Sequence, residues 1–216
     1  MSKPHVIAID GTFASGKGTL AKTLAKHYEL AYLDTGKLYR AVAKSILDRD
    51  EDPNDERLAG KAAQALQNAD LTEALADPAL KSGPVGAAAS KVAVHKAVRQ
   101  ALFNLQRNFA KKGAVLDGRD IGTVICPDAD VKIYVDAKPE IRAERRHAEL
   151  VGYGEDITFE TVLAQLQERD ARDMGRKDAP LKPAQDAHFL DSSDLGVEEA
   201  FEAAKKIIDA MLASKS

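Results

Sequence analysis

Val6-Ile7-Ala8-Ile9-Asp10-Gly11-Thr12-Phe13-Ala14-Ser15-Gly16-Lys17-Gly18-Thr19 decides the fold. An apolar run reads as a strand, a glycine-rich loop follows, and an amphipathic helical pattern begins near Lys17. Glycines let backbone N–H groups converge on an anion, because side chains there would block its approach. The helix adds the positive end of its dipole and Lys17 adds a full charge. The loop Gly11, Thr12, Phe13, Ala14, Ser15, Gly16, Lys17, Gly18, Thr19 is therefore expected to hold the β-phosphate of a nucleoside triphosphate. The residue after such a lysine is usually Ser or Thr, whose hydroxyl serves Mg²⁺. Here it is Gly18, so Thr19 is a candidate for an α-phosphate or for the shell of the metal.

Outward from the loop, strand-like runs recur between helical patterns: His5–Ile9, Ala31–Leu33, Ala114–Leu116, Val131–Val135 and His188–Leu190. Aspartates stand at their ends: Asp10, Asp34, Asp117, Asp136 and Asp191. Alternating strands and helices predict an α/β fold, a parallel five-stranded sheet covered by helices on both faces. Ligands of such sheets bind beyond the carboxyl ends of the strands, so the polar residues there are the first candidates for chemistry.

Helices are expected at about 17–28, 35–49, 139–151, 158–176 and 197–212. In the last, Val197, Ala200, Phe201, Ala204, Ile207, Ile208 and Met211 face inward. Asp55 is a plausible cap after the break Asp52-Pro53-Asn54. Between there and Lys112 alanine dominates and no strong strand is visible, which predicts a mainly helical insertion. One domain is expected, with its core at about 1–50 and 112–216, the insertion at about 51–111 and a short lid at about 142–176.

The bulk composition narrows the class. The chain has 216 residues and a formal net charge of −3, so no basic field argues for nucleic acid. A single cysteine, Cys126, excludes a disulfide framework and a cysteine-based zinc site and suits a reducing compartment. The N-terminus leads straight into a strand, without a signal-peptide pattern, and no apolar run is long enough to span a bilayer. A cytoplasmic monomer is expected, with no membrane partner. The five histidines are scattered without metal-ligand spacing, and the guanine-reading segment Asn-Lys-x-Asp is absent.

Phosphoryl transfer needs positive charge on moving phosphate oxygens, alignment and exclusion of water. Arginine suits this because its planar fork pairs with two oxygens. Arg40 lies one to two turns into the helix after the second strand, which Thr35 is expected to cap. Asp117-Gly118-Arg119-Asp120 follows the third strand; Asp117 is placed for a Mg²⁺-associated carboxylate and Arg119 for a phosphate. Arg142, Arg145 and Arg146 are spaced i, i+3, i+4. Arg169, Arg172, Asp173 and Arg176 share a face at i, i+3, i+4, i+7. A lid carrying arginines over a triphosphate is the reading favoured here. Surface pairing with Glu144, Glu149, Glu168 and Asp170 competes with it.

Gly11–Thr19, Leu33–Gly36 with Leu38-Tyr39-Arg40, the string Leu116–Val124, and Glu168–Asp170 through Arg176 with Ala179-Pro180-Leu181 resemble the bacterial cytidylate kinases, in the family's order. The resemblance implies a P-loop NTPase-type core with a monophosphate-binding insertion. It implies transfer of the γ-phosphoryl group of ATP to CMP or dCMP, with Mg²⁺ near Thr19 and Asp117, directly or through water. It assigns Arg40, Arg119 and Arg176 to the acceptor phosphate, Arg169 and Asp173 to its sugar and phosphate, and Ser90, Arg99 and Asp120 to cytosine. Thr35 joins the acceptor set; Lys17, Arg119, Arg145, Arg172 and Arg176 form the catalytic set. A carboxylate can accept from the cytosine N4 amino group while Arg99 and Ser90 donate to N3 and O2.

Two departures from the family pattern bear on the insertion. It is shorter and alanine-rich, and it reads Leu80-Lys81-Ser82 where the family often has Ile-Arg-Thr. Ser90 and Arg99 are nine residues apart, on opposite faces of a straight helix. If both read one base, the helix must break near Ala93–Lys96. Rival readings are a kinase for UMP, AMP or a small alcohol, and a nucleotide-dependent switch.

Overall fold

The computed structural model describes residues 5–214. The chain forms two compact units, one comprising the segments up to Leu33 and from Phe109 onward, the other Asp34–Asn108.

The first unit is built on five strands: β1 (Val6–Gly11), β2 (Ala31–Asp34), β3 (Ala114–Gly118), β4 (Val131–Asp136) and β5 (His188–Asp191). They lie in the order β2-β3-β1-β4-β5, with β1 parallel to β3 and β4, and β4 parallel to β5. Each strand runs further than its apolar run, so the aspartates close the strands instead of following them. Register gathers them: Ile9 pairs with Asp117, Asp10 with Gly118 and Tyr134, and Gly11 with Val135. The carboxylates thus collect at one rim of the sheet.

Four helices pack in this unit: α1 (Lys17–His27), α7 (Pro139–Gly152), α8 (Phe159–Met174) and α9 (Val197–Ala213). Leu20, Ala21 and Leu24 of α1 and Phe201, Ala204 and Ile208 of α9 pack on Ile7, Ile9, Val115, Ile133 and Val135. Apolar residues one turn apart on each helix meet β-branched residues on the sheet, which is the packing that parallel sheets require. Val197 departs from expectation: it is 64% exposed, at the first position of α9. A single π-helical turn, Ile121–Ile125, follows β3.

The second unit is helical, as the alanine-rich composition suggested. It contains α2 (Thr35–Leu47), α3 (Glu56–Gln67), α4 (Leu71–Ala74), a 3₁₀ turn at Pro78–Lys81, α5 (Gly83–Val92) and most of α6 (Lys96–Ala110). It begins at Asp34 instead of near residue 51, because α2 packs on α3 and α5. Leu38, Val42, Ala43 and Ile46 are the buried face of α2. Small residues set the spacing: a Cβ on Gly60 of α3 would lie 3.1 Å from the Cβ of Ala97 on α6. Asp55 caps α3 by accepting from the Leu58 N–H at 3.0 Å, as expected. Asp34, not Thr35, caps α2, accepting from the Lys37 N–H at 3.2 Å; Thr35 is already helical. The helix breaks after Val92 and restarts at Lys96, where the spacing of Ser90 and Arg99 demanded it.

Candidate active site

The loop after β1 is shaped by close approach. Gly11 has φ +153°, and a Cβ there would lie 1.9 Å from the Val135 carbonyl oxygen, so only glycine fits. Ala14 at φ 61° and Gly16 at φ 83° turn the chain back toward α1. The left-handed geometry at Ala14 costs about 1 kcal/mol, held by the surrounding bonds. Those bonds are specific. The Thr12 hydroxyl donates to Asp136 Oδ1 at 2.6 Å, and the Ser15 hydroxyl to the Thr12 carbonyl at 3.0 Å. Ser192, between β5 and α9, donates to the Ser15 carbonyl at 2.8 Å. Gly16 at the N-cap brings no side-chain acceptor to the first turn of α1, a role that a phosphate oxygen can fill.

Lys17 is buried, with Nζ 3.1 Å from the Thr12 carbonyl and 3.9 Å from Asp117 Oδ1. A Cβ on Gly18 would lie 3.1 Å from Asp117 Oδ2. Glycine after the lysine therefore makes room for the strand-end carboxylate against the start of α1. Thr19, one residue on, is exposed at that helix start. Asp117 with a hydroxyl and phosphate oxygens suits Mg²⁺, which keeps several waters and takes few protein ligands. Among the described residues no group of three His, Cys, Asp or Glu side chains could hold a metal alone.

Beside Asp117 lies Asp10, a residue the sequence reading marked as a strand end but gave no role. Its two oxygens accept from the Ile121 and Gly122 N–H groups, each at 2.7 Å. They pin the π turn that follows Arg119 and Asp120. Burial pushes the Asp10 carboxyl up to about 7, against those two backbone donors; Asp120 and Asp117 add to the rise.

A second cluster is inverse in sign. Asp173 on α8 is 1% exposed and gathers three guanidinium groups. Arg119 Nε donates to its Oδ2 at 3.1 Å, Arg176 Nη2 donates to Oδ1, and Arg169 Nε stands 3.9 Å from Oδ2. Burial alone would raise this carboxyl, but Arg119, Arg176 and Arg169 outweigh it and hold it below the ordinary aspartate range. The Arg169 guanidinium carbon also lies 4.0 Å from the Phe13 ring centroid, which sets the cluster against the phosphate loop. The i, i+4 spacing of Arg169 and Asp173 lies on one helical face as expected. But α8 ends at Met174, two residues short of the expected bound, so Arg176 reaches Asp173 from the segment after the helix and not from its face.

Arg172 is not part of that cluster; it pairs with Glu168, one turn earlier. Arg142 is buried and structural: it pairs with Asp170 of α8 at 2.7 Å and donates to the Ala137 and Phe13 carbonyls at 2.8 and 3.1 Å. Arg146 pairs with Glu149 at 2.7 Å. The carboxylate partners Glu149, Glu168 and Asp170 are those the competing reading named, but it expected surface pairs, whereas Arg142 and Arg146 are buried and only Arg172 pairs near the surface. Arg145 Nη2 donates to the Ser192 carbonyl at 2.7 Å. It lines a cavity of about 500 Å³ with Ser15, Gly16, Thr19, Ser192 and Val197.

In the helical unit Thr35, Ser90 and Arg99 are buried, and Arg40 is half-buried. Thr35 opens α2, and Arg40 Nη1 donates to the Leu80 carbonyl at 3.1 Å. Ser90 on α5 and Arg99 on α6 flank the Ala93–His95 break; Arg99 Nη1 donates to the Tyr39 hydroxyl at 3.4 Å.

Comparison with known proteins agrees with this geometry. The sequence profile of the cytidylate kinase family matches residues 7–210. Proteins named cytidylate kinase from Brucella suis biovar 1 (strain 1330) and Brucella abortus (strain 2308) are each 52% identical over 212 residues. Those residues are 97% of this chain and 95% of each relative. A crystal structure of an uncharacterized protein from Eubacterium ventriosum ATCC 27560 superposes with a TM-score of 0.55 at 21% identity, covering 96% of this chain and 99% of that one, and supports the fold. With its loop, its strand-end carboxylates and its arginine cluster in place, the chain belongs to the cytidylate kinase family.

Proposed function

We propose that the protein transfers the γ-phosphoryl group of ATP to CMP or dCMP, giving ADP and CDP or dCDP. The observation that carries this is the buried Asp173 carboxylate holding Arg119, Arg169 and Arg176 beside the phosphate loop. Three guanidiniums on one carboxylate leave net positive charge to receive a second phosphate group.

The donor phosphates lie on the loop, with Lys17 between the β- and γ-phosphates and the first N–H groups of α1 against them. Asp117 and Thr19 would hold the Mg²⁺ that accompanies ATP, directly or through water, where it would supply positive charge against the phosphates. Arg119 and Arg176 turn the acceptor phosphate in line with the γ-phosphorus. An acceptor oxygen forms the new P–O bond as the bond to the β–γ bridging oxygen breaks, and ADP carries away that electron pair. The acceptor phosphate is already anionic at neutral pH, so no general base is required. Arg145 beside Gly16, and Arg172 after movement of α7 and α8 as a lid, stabilise the transferring group.

Thr35, Arg40, Ser90 and Arg99 are the helical unit's contribution to the acceptor. Asp120 accepts from the N4 amino group of cytosine, and uracil's opposite pattern disfavours UMP. The reading also implies a cytoplasmic monomer acting on free nucleotides. The net charge of −3 gives no field for nucleic acid, and no helix among the described residues is long and apolar enough to cross a membrane.

A coupled assay of ADP release with CMP, dCMP, UMP, AMP and shikimate tests this. CMP and dCMP should give the highest kcat/KM. Release that depends on AMP or an alcohol instead, or on no acceptor, overturns the proposal.

A further inference from the structure

Phosphate binding uses the backbone of the loop and asks nothing of the side chain at position 13. Yet Phe13 is an aromatic residue embedded in the neighbouring helices. Its side chain packs on the cluster Ala143, Leu150, Val162 and Leu166 of α7 and α8. The Arg169 guanidinium carbon lies 4.0 Å from its ring centroid and that of Arg146 5.6 Å. Arg142 fixes the same residue by donating to its carbonyl oxygen at 3.1 Å.

A guanidinium over a ring face is attracted by the ring quadrupole and restricted in its rotamers. Arg169 is thus held on one side by Asp173, at 3.9 Å, and on the other by a ring carried on the donor loop. We infer that Phe13 is a positioning residue for the acceptor: its ring orients Arg169, so the loop that holds one nucleotide also sets an arginine for the other. This rests on the proposed role of Arg169 at the acceptor.

The test compares Phe13→Leu and Phe13→Met, which keep apolar volume but lose the ring, with Phe13→Tyr, which keeps it. Either ring-less variant suffices if the other fails to fold, as judged by melting temperature. The ring-less variants should raise the KM for CMP about three- to tenfold, the range of a cation–π contact, with the KM for ATP within twofold of wild type. Phe13→Tyr should restore the CMP value. Phe13→Leu combined with Arg169→Ala should be no worse toward CMP than Arg169→Ala alone. If Arg169→Ala weakens CMP but the ring-less variants do not, or if they weaken ATP equally, the role of Phe13 is overturned while the site stands. If Arg169→Ala leaves CMP unaffected, the assignment of Arg169 to the acceptor falls, and the inference with it.

Discussion

Two regions at one rim of the sheet invert each other's charge. Around the end of β1 and β3, Asp10 feels both Asp120 and Asp117, and Asp117 faces Lys17. On α8, a single buried carboxylate, Asp173, faces Arg119, Arg169 and Arg176. The first region suits cations and a neutral carboxyl; the second suits anions. Burial is common to both, so the sign of the neighbours, not depth, decides what each carboxylate does. Asp10 accepts from backbone N–H groups and fixes the chain, whereas Asp173 accepts from guanidiniums and gathers three of them in one place.

Altering one region at a time breaks the comparison by degrees. Lys17→Ala should have the largest effect, a loss of roughly 10³-fold or more in kcat with the fold retained. Steady-state turnover with circular dichroism checks it, and near-normal turnover would remove the loop's role. Asp120→Ala should raise the KM for CMP about ten- to a hundredfold and that for ATP far less; equal losses in titrations of both nucleotides would refute base reading. Asp173→Asn should raise the KM for CMP roughly tenfold and lower stability by about 1–3 kcal/mol at pH 7. Because the folded carboxyl titrates below its unfolded value, that stability is present above pH ~4 and fades as pH falls through the folded value. Denaturant melts at pH 7 and pH 3.5 should therefore show the gap between wild type and variant narrowing in acid.

The smallest effect sharpens the contrast. Asp10 titrates near 7 when folded, well above an unfolded aspartate. Its folded form retains a proton that the unfolded chain releases, so its contribution to stability declines as pH rises from about 4 to about 7. Asp10→Asn cannot ionise. Relative to wild type it should gain a few degrees in melting temperature between pH 5 and pH 8, whatever its stability at pH 5. A gap that widens in favour of wild type at pH 8 would show that Asp10 is not raised.

What could be read in the sequence was local. The loop's glycines, the runs that form strands and helices, and the spacing of Arg169 and Asp173 each depend on neighbours close in the chain; Arg176 reaches the same carboxylate from beyond the end of α8. The break between Ser90 and Arg99 was legible because the family resemblance gave both to one base, and residues nine apart lie on opposite faces of an unbroken helix. What escaped depends on distant partners. The π turn is set by Asp10, which lies 111 residues from Ile121. Arg142 meets Asp170 on the next helix, and the packing of α2 on α5 moved the unit boundary to Asp34. The cap of α2 was misassigned by one position because Asp34 and Thr35 are both good cap residues.

The division of labour between the two regions is tested most directly by calorimetric titration of Arg119→Ala, with CMP and with a non-hydrolysable ATP analogue. The account predicts at least a tenfold loss of affinity for CMP and an unchanged affinity for the analogue. An equal loss for both, or unchanged CMP binding, would contradict it.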